Sequence, residues 1–494
     1  MSPCRLEGEL SSLRYASDSE PNEPVSRESN EPGLHMNRRD FISTLPLSTI
    51  AIGTMSTEVG ASVCKARTLQ PDRITQYRQS KHGIFVHLVP GLTVSSHGEV
   101  CTDIDALADN FDIDQFVRTV SSFCPDYIAF TAWHFRCKPL YASKVNAKWR
   151  SGKSSARRDL VGDLLRAMKR VNIPVILYTH PRDGHDFDKR DMISTGWGAS
   201  GAQTSTDPNP ATFSFDRWNA YIAEMYRELM HRYGSELMGV YVDEGSGRGD
   251  SYRVVDYAML RAIIKGPHNG NMPVMIHNYA GNTYTADVGN KEYCHSEEFA
   301  DISGETWPAH GSLGVSAVVG SLWYATEATN AWSASFSPES LYRYTVIQAS
   351  LNYGGGGVAW SAGPYSSGGS WETGVESLLT RAGQLLRRRH EAIRGTVPSL
   401  AYPTTEGAAF RDLEWGVACE SANRREIFLH VLKPPSGRLL RIGKPKNGVS
   451  FLTATELLTG SELAFRTEGQ SVDFELPVGQ NWDQLDTVIK INIR

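Results

Sequence analysis

The feature that most constrains this chain is an alternation beginning near residue 81. Short apolar runs take turns there with stretches whose apolar residues recur at helical spacing, the order that specifies a parallel α/β sheet. Gly83-Ile84-Phe85-Val86-His87 reads as a first buried strand and Tyr127-Ile128-Ala129-Phe130-Thr131 as a second. Pro174-Val175-Ile176-Leu177-Tyr178 and Met238-Gly239-Val240-Tyr241-Val242 follow as the third and fourth. Between them, Phe116, Val117 and Val120 share one helical face, and Leu160, Val161, Leu164, Leu165 and Met168 share another. A helix capped by Asp216 is expected to bury Trp218, Tyr221, Ile222, Met225 and Leu229 before Gly234 stops it. Val274-Met275-Ile276 is a fifth strand, Asp301-Ile302-Ser303 part of a sixth, and Val315 to Tyr324 holds a seventh. A helix from Pro338 to Leu351 precedes the eighth, Gly357-Val358-Ala359-Trp360, and Val375, Leu378, Leu379, Leu385 and Leu386 mark a closing helix. Eight such units in roughly 300 residues match a (β/α)8 TIM-like barrel. An open doubly wound sheet is the alternative, but no G-x-G-x-x-G follows the first strand.

After Gly395 the character changes to short β-prone runs broken by Pro and Gly, such as Glu426 to Leu432 and Thr487 to Ile491. That pattern predicts a small antiparallel β-sandwich over 395–494, behind a barrel over 66–394. Upstream, Asn37-Arg38-Arg39-Asp40-Phe41-Ile42 precedes the apolar stretch Leu45 to Met55 and small residues at Gly60 to Ser62. This is the order of a twin-arginine export signal over 36–65, and it implies a periplasmic or extracellular protein. The apolar stretch is too short for a stable membrane anchor. Residues 1–35, rich in Ser, Glu and Pro, read as a disordered extension, and a true start at Met36 is the simplest account. Seven cysteines show neither a C-x-x-C pair nor zinc spacing. A net charge of -5 and the lack of a Lys/Arg stripe argue against a nucleic-acid partner. Eleven Trp and twenty Tyr suit sugar rings, whose C–H faces are apolar, although a large barrel also buries aromatics for packing alone.

In a barrel, chemistry gathers at the C-terminal ends of the strands. Those ends carry His87 after the first strand, His134 after the second, Tyr178 and His180 at the third, and Asp243 with Glu244 after the fourth. Any one of these has a plain structural explanation, as a helix cap or as a partner of a backbone carbonyl. Six at four successive strand ends are harder to explain that way. A metal hydrolase would want closely spaced ligands such as H-x-H, and the first strand offers a single histidine, so no metal or other cofactor is expected. Glycoside hydrolysis needs two carboxyl groups flanking the scissile bond, with histidine and tyrosine to hold sugar hydroxyls. This inventory suits that better.

Several segments, in order, resemble glycoside hydrolase family 29, the retaining α-L-fucosidases. Gly83 to His87 is similar to the family's G-I-F-x-H-W, Thr131-Ala132-Trp133-His134 to T-A-K-H-H, and Arg158-Asp159-Leu160-Val161-Gly162 to R-D-L-V-G. Tyr241-Val242-Asp243 stands in place of W-F-D-G, whose Asp is the nucleophile. His390-Glu391-Ala392-Ile393-Arg394-Gly395-Thr396 resembles N-G-E-A-I-Y-G-T, and Leu429 to Lys433 with Pro435-Ser436-Gly437 resembles the C-terminal domain. The resemblance implies Asp243 as nucleophile and His87, His134 and Tyr178, with Glu99 of the first rim loop, as sugar contacts. His180 and Trp332 complete the substrate-binding candidates. For the acid/base, Glu305 in Ser303-Gly304-Glu305-Thr306-Trp307-Pro308 is the first choice, with Glu298 and Glu297 behind it. Departures fall at Leu88 and Phe135, where the family has Trp and His, and near Tyr279, where it has an arginine. The expected function is a retaining exo-glycosidase acting on terminal α-L-fucosyl or related sugars, its partner a fucosylated glycan or glycoside. The alternative is a sugar-binding barrel that has lost catalysis.

Overall fold

The computed structural model describes residues 72–152, 154–184, 187–198, 208–243, 254–266, 272–278, 286–293, 313–320, 325, 336–351, 357–404 and 410–494. Eight strands form a closed parallel barrel in sequence order: β1 (His82–Val86), β2 (Tyr127–Trp133), β3 (Val175–Thr179), β4 (Gly239–Val242), β5 (Val274–Asn278), β6 (Val288–Tyr293), β7 (Leu313–Val318) and β8 (Val358–Ser361). β8 closes on β1 through His82–Val358 to Phe85–Ser361. Strands of this kind are covered on both faces, which is why β1 to β4 read as unbroken apolar runs.

The period of two sorts their residues. Ile84, Val86, Ile128, Phe130, Leu177, Val240 and Val242 join the core shared with the surrounding helices. Phe85, Tyr178 and Tyr241 instead meet one another, at ring-centroid distances of 5.0–5.6 Å. β1 and β4 are not neighbours, so the Phe85–Tyr241 contact crosses the barrel interior.

Two expectations need correction. The sixth strand is Val288–Tyr293, upstream of Asp301-Ile302-Ser303, which lies outside the described residues. The run Val288-Gly289-Asn290-Lys291-Glu292-Tyr293 is too polar for an apolar-run search to find. Asp216 is not the helix cap either. The third of the helices labelled here is capped by Ser214, whose side chain accepts from Arg217 N, and Asp216 sits in its first turn, where an acid complements the helix dipole. The helices needed below are α1 (Ile113–Ser122), α2 (Leu160–Arg170), α3 (Phe215–Tyr233), α4 (Tyr257–Ile264), α5 (Pro338–Ser350), α6 (Val375–Arg388) and α7 (His390–Ile393).

The Arg-Asp-Leu-Val-Gly segment is scaffolding. Asp159 caps α2 by accepting from Gly162 N at 3.0 Å and also accepts from the Tyr233 hydroxyl, while Arg158 reaches Asp163 and the carbonyls of Ala108 and Phe111. A Cβ at position 162 would sit 2.5 Å from an Asp159 oxygen, so this cap requires glycine.

The C-terminal strands form two antiparallel sheets. One has the order β13-β16-β11-β10-β9 and the other β12-β15-β14, with β9 (Thr396–Pro398), β10 (Gly416–Ser421), β11 (Glu426–Val431), β12 (Leu439–Gly443), β13 (Phe451–Glu456), β14 (Ala464–Glu468), β15 (Ser471–Glu475) and β16 (Thr487–Ile493). Ile427, Leu429, Leu440, Ile442, Phe474, Ile489 and Ile491 fill the space between them, as a sandwich requires. Tyr342, Val346 and Ile347 of α5 and Leu386 of α6 pack on Val417 and Leu432 of the sandwich. Beside that apolar contact lies a buried polar cluster. The Tyr342 hydroxyl donates to Asp486, and His430 Nδ1 lies 2.7 Å from Asp486 Oδ2. Arg389 donates to the Asp486 carbonyl at 2.9 and 3.1 Å and to Asp483 at 2.6 Å.

Candidate active site

The rim at the C-terminal ends of β1 to β4 gathers most of the residues singled out above. Asp243 follows β4 directly, and its backbone N–H donates to Thr179 O at 2.9 Å, which holds it beside β3. The Tyr178 hydroxyl donates to Asp243 Oδ2. Tyr178 is buried, and its ring lies 4.4 Å from His87 and 5.2 Å from His134. His134 in turn stacks on His180 at 5.1 Å. Three histidines, a tyrosine and an aspartate from four successive strands thus form one contiguous cluster.

Their electrostatics follow from burial. His87 is 4 % exposed, and loss of solvation drives its pKa down to about 3, against the charge of Asp243, which favours protonation. It is therefore a neutral hydrogen-bonding imidazole over any working pH above that value. Asp243, by contrast, is half-buried, and its carboxylate accepts from the Tyr178 hydroxyl.

Sequence reasoning missed the layer beneath. Tyr241 stacks on Tyr178 at 5.6 Å, and Asn290 of β6 donates to the Tyr241 hydroxyl at 2.7 Å. Thr179 Oγ1 donates to the Tyr241 carbonyl at 2.8 Å and bonds the Tyr226 hydroxyl of α3 at 2.7 Å, which ties β3, β4 and α3 together one residue below the rim. The signal for Tyr241 was its spacing of two from Asp243 on one strand, which puts both on the interior face. Asn290 had no such signal, because its strand was not recognised.

Other candidates fall elsewhere. Glu99 is exposed, in a turn closed by the hydrogen bond from Ser95 N to Glu99 O, and no described contact joins it to the histidine cluster. Glu244, Glu297, Glu298, Glu305, Trp332 and Tyr279 lie outside the described residues. Leu88 is fully buried in the core shared with the helices, so its departure from the family's Trp removes nothing from the cluster. His277 of β5 is a further buried histidine, but its neighbours Val242 and Met275 face the helices and its ring meets Tyr257 of α4 at 5.0 Å. It belongs to the wall, not the rim. Among the described residues no three His, Cys, Asp or Glu side chains are grouped to hold a metal ion.

The family model for α-L-fucosidase matches residues 105–318, a span that includes β2 to β7 and Asp243. No curated protein matches the chain by sequence. Among solved structures, a glycoside hydrolase family 29 α-L-fucosidase from Bacteroides thetaiotaomicron superposes with a TM-score of 0.61 at 16% identity, over 86% of this chain and 95% of that one. α-L-Fucosidase isoenzyme 1 from Paenibacillus thiaminolyticus gives 0.61 at 17%, over 85% and 99%. The Thermotoga maritima α-fucosidase gives 0.57 at 18%, over 84% and 96%. Another structure of the Bacteroides enzyme is described as a trapped covalent intermediate with 2-fluoro-fucosyl fluoride. At such identities the structures show the shared fold, and the family model shows that residues 105–318 are similar to the α-L-fucosidases of glycoside hydrolase family 29.

Proposed function

We propose that this protein hydrolyses terminal α-L-fucosyl or closely related sugars with retention of configuration, using Asp243 as nucleophile. The observation that carries the reading is the half-buried Asp243 carboxylate, held by the Tyr178 hydroxyl among three rim histidines. The Tyr178 hydroxyl orients the carboxylate, which attacks the anomeric carbon. The C–O bond to the aglycone breaks as the bond from the carboxylate oxygen forms, through an oxocarbenium-like transition state, and a glycosyl ester results. A carboxylic acid on the opposite side protonates the departing oxygen. The same group, now a carboxylate, takes a proton from the water that cleaves the ester. Neutral His87 and its neighbours His134 and His180 are suited to hydrogen-bond sugar hydroxyls, and the Phe85–Tyr178–Tyr241 layer offers an apolar floor. The covalent intermediate trapped in the Bacteroides relative supports a double displacement here.

Two substitutions examine the roles. Tyr178→Phe removes one hydrogen bond to a charged group, a contribution of about 1.5–3 kcal/mol. In steady-state assays on an aryl α-L-fucoside, kcat is expected to fall about ten- to a hundredfold with little change in KM. An unchanged kcat would take Tyr178 out of the nucleophile's support. For the acid/base, Glu305→Gln is expected to cost about 10²–10⁴-fold on a substrate with a poor leaving group and far less on a dinitrophenyl glycoside. If Glu298→Gln shows that pattern and Glu305→Gln does not, the assignment passes to Glu298.

A further inference from the structure

At the opposite end of the barrel, where the strands begin, lies a cavity of about 510 Å³, within the roughly 300–1,000 Å³ range of small-molecule sites. It opens between the last turns of α1, α2 and α6 and the short helix α7. Its apolar wall comes from Val171, Ile173, Leu386 and Ile393, and its polar groups from Ser121, His82, Asp126, Arg387, His390 and Arg394. None of these belongs to the Asp243 cluster.

The polar groups divide by state. Asp126 is 7 % exposed. Its Oδ2 accepts from the backbone N–H groups of Lys81 and His82 at 2.8 and 3.2 Å, and its Oδ1 pairs with Arg394 Nε at 3.1 Å. That charge is therefore cancelled. Arg387 stands in the last turn of α6, and among the described residues it has no acid partner. The cavity is left with one uncompensated guanidinium, a planar fork suited to a carboxylate.

His82 sets the rest of the chemistry. It is 3 % exposed, and its Nε2 lies 3.0 Å from Phe123 O. A carbonyl can only accept, so Nε2 carries the hydrogen, and burial favours the neutral ring. Nδ1 is then a lone-pair acceptor, and it has no partner among the described residues. Ser121 Oγ is likewise without one. Both residues line the cavity, and a hydroxyl seated in it would supply the partner that each buried polar atom lacks. Three helices end here as well, and their terminal carbonyls favour a ligand rich in O–H donors over one of high negative charge.

We propose that this cavity is a second ligand site, for a small polyhydroxylated monoanion of the sugar-acid class. The carboxylate pairs with Arg387, the hydroxyls meet His82 Nδ1 and Ser121 Oγ, and the apolar edge of the ring lies on Val171 and Leu386. A phosphate dianion fits less well, since one free guanidinium balances one charge and the helix ends repel the second.

The test uses the full purified chain and titration calorimetry with D-galacturonate as the sugar acid, L-fucose as a neutral sugar and inorganic phosphate as a bare anion. Galacturonate is expected to bind the wild type and to lose at least about tenfold in affinity to Arg387→Ala, with glycosidase kcat/KM unchanged in that variant. Arg387 is exposed, so the substitution does not threaten folding. Ser121→Ala is expected to weaken binding a few-fold. Equal affinity in wild type and Arg387→Ala, or no binding of galacturonate at millimolar concentration, would overturn the proposal. So would inorganic phosphate binding as tightly as galacturonate. Because the readout is binding at a face remote from Asp243, it stands or falls independently of the glycosidase reading.

Discussion

Replacing Asp243 by glycine is expected to lower kcat on an aryl α-L-fucoside by on the order of 10⁴-fold or more, as removal of a nucleophile does in enzymes whose residues act as a unit. On the proposed mechanism the physical reason is the loss of the carboxylate that forms the glycosyl ester, while the rim histidines proposed to hold the sugar are untouched. Azide should then restore turnover. It fits the space left by the carboxylate and attacks from the face opposite the aglycone, so a single displacement delivers the β-glycosyl azide. The product's anomeric configuration, read by NMR, is the decisive measurement. A variant as active as wild type, or rescue that yields the α-azide, would remove Asp243 from the nucleophile's role. The same assay separates a working enzyme from a barrel that only binds. A wild type that binds fucose but turns over no aryl glycoside would leave the sugar-binding reading standing.

The second large effect concerns stability. Asp486 is fully buried where the sandwich meets α5 and the segment between α6 and α7, and it takes hydrogen bonds from Tyr342 and His430. Burial opposes a charge on His430, but the carboxylate of Asp486 and its hydrogen bond outweigh that and push the imidazole's pKa up to about 10. Asp486→Ala removes the charge that keeps His430 protonated and leaves the buried imidazole and the Tyr342 hydroxyl without their partner. Breaking one side of a buried pair costs about 3–5 kcal/mol, which denaturant unfolding at neutral pH would show. Tyr342→Phe, which removes one donor only, is expected to cost about 1 kcal/mol and serves as the comparison. The pH dependence has a defined sign. His430 has a raised folded-state pKa, so its contribution is full below the ordinary histidine value of 6.5 and is lost as pH rises towards about 10. Wild-type stability should decline over that window, and Asp486→Ala should lose this part of the decline. A cost below about 1 kcal/mol, or an unchanged alkaline profile, would show that the buried cluster around Asp486 does not stabilise the junction.

Where the barrel was legible, the reason is solvent. β1 to β4 are covered on both faces and so must be apolar throughout, and their runs announced them. β6 escaped because Asn290 is polar and points inward, where the hydroxyl of Tyr241 meets it. A pattern of apolar runs cannot foresee a polar residue whose partner comes from another strand. The cap of α3 was misplaced by two residues, since Ser214 and Asp216 are both competent and only the backbone's entry angle selects between them. The departure at Leu88 looked like a change in the pocket; one step of strand parity turned it into a change in the core.

By itself, the sequence determined the barrel, the sandwich and the place of Asp243 on the rim, because each depends on periodicity and order along the chain. Tertiary structure alone decided that Tyr178 donates to Asp243, that Asn290 braces the floor, that Tyr342 of α5 joins the barrel to Asp486 of the sandwich, and that a cavity forms around Arg387 and His82. In each of these the partners come from different elements. Their meeting depends on closure of the barrel and docking of the sandwich, and no local spacing records either.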